Sequence, residues 1–103
     1  MTILESVQKA FDFQTAKKNL RDRLDRCLTL PYAGGLFKVS PELIVFATSW
    51  QEPFVIEDSL GNPIKIDNPN DFVTNLKLNY QEATNEWLNE FEQARKLRRN
   101  TQI

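Results

Sequence analysis

The sequence predicts a mostly helical α+β fold, on three observations. Apolar residues recur at helical spacing through the first third. Two short alternating segments flank a Gly-Asn turn near the middle. The last third carries an apolar stripe that repeats every 11 residues. In chain order these give an N-terminal helical region, a short buried helix or strand, one β-hairpin and a long C-terminal amphipathic helix. A chain of 103 residues is read as a single domain, 1–103.

Ile3, Leu4, Val7, Ala10 and Phe11 open the helical pattern, and Ala16, Leu20, Leu24, Cys27 and Leu28 continue it. Phe13-Gln14-Thr15 offers a joint with Thr15 as a cap, so one bent helix and two helices fit equally over 3–28. Lys18–Asp22, Arg21–Asp25 and Asp22–Arg26 stand four apart and can pair along a wet face, each adding a few tenths of a kcal/mol. Pro31-Tyr32-Ala33-Gly34-Gly35 stops the helix, and Leu36–Val39 reads as a short strand after a turn.

Residues 43–50 are almost unbroken apolar, which suits a buried strand. Ser40-Pro41-Glu42 in front of them is a helix start, with an oxygen-bearing cap, a first-turn proline and an acid at the positive dipole end. A short buried helix is favoured, with Leu43, Phe46, Ala47 and Trp50 on one face. Phe54–Glu57 and Pro63–Ile66 then flank Asp58-Ser59-Leu60-Gly61-Asn62 as a hairpin. Asp67 or Asn68 caps the last helix and Pro69 opens it. Phe72, Leu76, Tyr80, Ala83, Trp87, Phe91 and Ala94 form its apolar face, and Arg95, Lys96, Arg98 and Arg99 gather at its negative end.

Composition excludes several chemistries. Thirteen Lys and Arg against fourteen Asp and Glu leave a formal charge of −1, too balanced for bulk attraction to nucleic acid or an anionic membrane. No histidine is present to act as a base or metal ligand, and the one cysteine, Cys27, falls on the apolar helical face as a core residue. Glu82, Glu86 and Glu90 line a solvated flank or the rim for a basic partner, rather than a dry carboxylate pair. The oxygen-rich Asp67-Asn68-Pro69-Asn70-Asp71 is read as helix capping, because a calcium loop needs more carboxylates and a defined glycine turn. Gly34-Gly35 lacks the Gly-Lys-Ser/Thr of a phosphate loop. The expectation is therefore a protein with no catalytic residues, no cofactor and no metal. The first residues lack a basic start and a long apolar run, and no stretch is apolar enough to span a membrane, so a cytoplasmic location is expected.

What remains is interaction. A helix from Pro69 to Arg99 would be about 45 Å long, whereas a domain of this size has a radius of gyration near ~13 Å. Two readings are equally open: the helix projects and leaves part of its apolar stripe for a partner, since aromatics with arginine anchor interfaces, or the N-terminal helices fold back and cover it fully. Tyr80, Trp87 and Phe91, with Arg95 and Arg98 at the rim, are the predicted contacts for a protein partner or a second copy. Lys17, Lys18 and Arg21, part of a basic cluster with Arg23 and Arg26, are candidate contacts for an acidic partner or for nucleic acid, although Asp22 and Asp25 interrupt them.

Three segments, Ser40–Ile44, Ile56–Ile66 and Tyr80–Glu92, together resemble small proteins of T4-like tailed phages, especially those infecting cyanobacteria. Those motifs are a cap, a hairpin turn and an amphipathic helix, spread over the C-terminal two thirds. The resemblance implies a phage product that works in virion assembly or on the host, in host cytoplasm or in the virion. It assigns no catalytic residue.

Overall fold

The computed structural model describes the backbone of residues 3–100 and the side chains of residues 12–97. The elements are α1 (Ile3–Cys27), β1 (Thr29–Tyr32), β2 (Gly35–Lys38), α2 (Pro41–Thr48), β3 (Phe54–Glu57), β4 (Pro63–Ile66) and α3 (Pro69–Asn100). This is the α+β, mostly helical fold that the sequence predicts. Contacts divide the chain into two units, Met1–Arg26 with Thr84–Ile103, and Cys27–Ala83.

The first unit is a helix pair. The region read as one helix or two is a single helix, with no break at Thr15. Phe13 meets Phe91 with ring centroids 6.1 Å apart, and Arg23 grips Glu90 through two 2.9 Å bonds from one guanidinium nitrogen. Arg21 lies 5.9 Å over the Trp87 ring and forms the expected i,i+4 pair with Asp25 at 3.6 Å. The side chains of Ile3, Leu4, Val7, Ala10 and Phe11 lie outside the described residues, as do those of Arg98 and Arg99.

The second unit is built on two antiparallel hairpins, not one. Strand β1 pairs with β2 in the register Tyr32↔Gly35 to Thr29↔Lys38. Ala33 (φ 52°) and Gly34 (φ 83°) form the two-residue turn between them, both in the left-handed region that a tight hairpin turn requires. The β3–β4 hairpin has the predicted bounds and pairs Glu57↔Pro63 through Phe54↔Ile66. Its turn closes with the Gly61 N–H on the Asp58 carbonyl (3.1 Å) and the Asp58 N–H on the Asn62 carbonyl (2.9 Å). Gly61 takes the positive φ (82°) that such a three-residue turn needs. The core of this unit holds Leu28, Phe37, Val39, Ala47, Phe54, Ile66, Phe72 and Leu76.

Caps fall as the sequence indicates. Ser40 Oγ accepts the Leu43 N–H at 3.1 Å to start α2, and Asn68 Oδ1 accepts the Asp71 N–H at 3.1 Å to start α3. Two expectations are corrected. Helix α2 is not buried: only Ala47 is enclosed, Val45 and Phe46 face solvent, and Trp50 lies beyond the helix end. Its residues 43–47 are apolar all round, and eight residues cannot turn every side to one core. Cys27 is exposed, not a core residue. Helix α1 ends at Cys27, and the next residue, Leu28, takes the inward position.

Candidate functional site

Two backbone features position the surface of the hairpin unit. The first is a lock between the hairpins. Buried Asp58 accepts three backbone N–H groups: Leu36 on Oδ2 at 3.0 Å, and Leu60 and Asn62 on Oδ1 at 3.0 and 2.8 Å. These bonds, the one to Leu36 foremost, hold its carboxyl below the ordinary carboxylate range against the opposing effect of desolvation. Ser59 completes the lock by donating both its N–H (2.8 Å) and its hydroxyl (2.7 Å) to the Leu36 carbonyl. The second feature is close approach at Gly35, where any β-carbon would sit 2.6 Å from Ile64 Cγ1.

On this frame the aromatic rings form a continuous run. Tyr32 and Phe37 each stand 5.0 Å from Phe72, and Phe72 stands 6.4 Å from Phe54. Phe54 stacks on Trp50 at 5.0 Å with the rings 13° apart, and Phe46 packs edge-on to both at 6.1 Å. Each such pair contributes about 0.5–1.5 kcal/mol beyond simple burial. The run starts at fully buried Phe37 and Phe72 and ends in solvent at Phe46, 46% exposed, and Trp50, 40% exposed, beside Val45 at 71%. Tyr32 anchors the inner end: its hydroxyl donates to Asp71 Oδ2 at 2.7 Å, and burial together with that bond pushes its pKa up to about 12.

The five predicted partner contacts do not all fall in one unit. Tyr80 belongs to the hairpin unit and is half-buried. Trp87, Phe91 and Arg95 belong to the helix pair, also half-buried, and the Arg98 side chain lies outside the described residues. Trp87 and Phe91, with exposed Leu88, line an open apolar hollow of about 190 Å³. Arg95 bonds Glu92 at 3.0 Å, while its buried Nε donates a hydrogen bond to no described residue. Of the predicted basic contacts, Lys17 and Lys18 are exposed, and Arg21 is committed to Asp25 and Trp87. Glu90, read as part of a solvated flank, is instead held by Arg23.

Sequence reasoning missed Val45, Phe46 and Trp50 as surface residues. The signal was present, because a short apolar helix between Ser40-Pro41 and Glu52-Pro53 has more greasy sides than neighbours. Among the described residues no cluster of acids and cysteine has metal-binding geometry, and no helix is long and apolar enough to cross a membrane. Asp58, the one buried acid among them, spends its oxygens on backbone N–H groups. Comparison with protein-family models, with curated proteins and with solved structures finds no match.

Proposed function

We propose that this chain is a non-enzymatic protein–protein interaction module whose principal docking surface is the outer end of the aromatic run, Val45, Phe46 and Trp50. One observation carries the reading: stacked and edge-packed rings that belong to a closed core continue outward into solvent. Rigid aromatics lose little conformational entropy on binding, and covering one apolar side chain contributes about 1.5–3 kcal/mol. The apolar hollow at Trp87, Leu88 and Phe91 is a second, smaller contact surface in the helix pair. The resemblance of residues 40–44, 56–66 and 80–92 to proteins of tailed phages supports a partner within a virion or its assembly line.

The test is site-directed photo-crosslinking in the cells that make the protein. A photoreactive phenylalanine analogue at position 46 should give a discrete heavier adduct, and Trp50→Ser should abolish it. The same analogue at position 60, an exposed leucine of the turn, should give none. No adduct from position 46, or the same adducts from both positions, contradicts the reading.

A further inference from the structure

The hairpins treat their edges unequally. Antiparallel pairs alternate between bonded and non-bonded, and residues of a non-bonded pair point their N–H and C=O outward. The turn bond between Asp58 and Asn62 fixes the phase: Glu57↔Pro63 and Val55↔Lys65 are the non-bonded pairs of β3–β4. In β1–β2 the Val39 N–H on the Leu28 carbonyl (2.9 Å) fixes Pro31↔Leu36 and Thr29↔Lys38 in the same way.

Three of the four edges are guarded. On β2 the outward Leu36 groups are taken by Asp58 and Ser59, and the other outward position is Lys38, a residue type that blunts an edge. On β1 Pro31 has no N–H, and the Thr29 carbonyl accepts Asn79 Nδ2 at 3.3 Å. On β4 Pro63 has no N–H and Lys65 sits at the centre, the two residue types that blunt an open edge. Strand β3 contains neither proline nor lysine, and its one charged residue is Glu57. The outward groups of Val55 and Glu57 bond no described residue, and the Val55 side chain is 65% exposed.

Charge says what fits there. The hairpin unit Cys27–Ala83 carries three lysines, no arginine and seven acids, a formal charge of −4. Glu57 stands at the end of the open strand and Glu52 two residues before its start, both exposed. A second copy pairing antiparallel about Val55 would bring the Glu57 end of one strand to the Glu52 end of the other, like against like.

Resting on the docking reading above, we propose that the β3 edge receives an extended basic segment of a partner protein as an added strand. Its main chain pairs with Val55 and Glu57, and its Lys or Arg side chains lie on the face that carries Glu57, with Glu52 adding negative charge in the segment before the strand. Its apolar side chains on the opposite face lie beside Phe54, against Trp50 and Phe46. Strand addition of this kind takes affinity from main-chain bonds and specificity from alternate side chains.

The experiment uses the full chain and a fluorescein-labelled peptide of alternating arginine and valine, with a glutamate–valine counterpart and two versions of the basic peptide N-methylated at alternate amides, one in each register. The basic peptide should bind at least about tenfold more tightly than the acidic one, a difference of about 1.4 kcal/mol. Binding should shift the Val55 and Glu57 amide resonances and quench Trp50. N-methylation in the register that faces β3 should cost about tenfold or more. Glu52→Lys with Glu57→Lys should reverse the charge preference, and Val55→Pro should remove an outward N–H without touching the hairpin's own ladder. Equal binding by both N-methylated registers and the parent peptide, unshifted Val55 and Glu57 amides, or no charge preference overturns strand addition. Trp50 quenching that persists with unshifted amides overturns it while leaving the aromatic docking surface standing. No binding by the basic peptide at low salt overturns it as well.

Discussion

Asp58 and Gly35 are where single atoms decide the fold. Asp58 joins the β3–β4 turn to β2 through the Leu36 N–H, and its carboxyl is stabilised in the ionised form. A depressed folded-state pKa contributes stability that is complete above the unfolded value near ~3.9 and is lost as pH falls through the folded value. Urea midpoints should therefore drop below about pH 4. Asp58→Asn should lower the midpoint at neutral pH and flatten that acid limb, because an amide NH₂ faces a backbone N–H with no lone pair to offer. At Gly35 two effects compete. Alanine restricts the unfolded chain and stabilises by about 0.4–1 kcal/mol, but its β-carbon would lie 2.6 Å from Ile64 Cγ1, and overpacking costs about 1–3 kcal/mol. The clash wins, so Gly35→Ala should be destabilising, and pairing it with Ile64→Ala should give less than the sum of the two losses in denaturation.

Among the elements, those with local signals were legible in the sequence. The β3–β4 hairpin announces itself by alternation around Gly61-Asn62, and α3 by Asn68-Pro69 and its stripe, and both have the predicted start. Asn68→Ala should cost about 1 kcal/mol in thermal or urea unfolding, whereas Asn68→Ser should cost little, since serine also accepts the Asp71 N–H. The β1–β2 hairpin escaped because Pro31 reads as a breaker, although at a non-bonded edge position its missing N–H takes nothing from the ladder. Helix α2 was recognised by its cap but assigned to the core. Whether Phe46 and Trp50 are covered depends on Phe54 and on neighbours remote in sequence, which no local period encodes. The same applies to Asp58, whose Leu36 partner lies 22 residues away.

At the scale of the whole chain, a formal charge of −1 conceals a division. The hairpin unit carries −4, so the remaining residues carry +3 and hold every arginine. Bulk balance argued against overall attraction to nucleic acid or an anionic membrane, yet each unit alone has a clear sign. The helix pair spends part of its charge internally, with Arg21 on Asp25 and Trp87, Arg23 on Glu90 and Arg95 on Glu92. The hairpin unit has fewer such pairs: Lys65 with Asp67 at 3.7 Å is the ion pair among its described residues. The unit that holds the aromatic run therefore carries a surplus of negative charge, the sign that the proposed basic and apolar partner would complement.

The central claim is that Trp50 is open in the free chain and covered in the working assembly. Acrylamide quenching of Trp50 tests it most directly, with Trp87→Phe leaving a single indole to observe. The purified chain should be readily quenched, and the same chain recovered with its partner from the producing cells should be shielded. Equal quenching in both states, or an indole already shielded in the free chain, would contradict it.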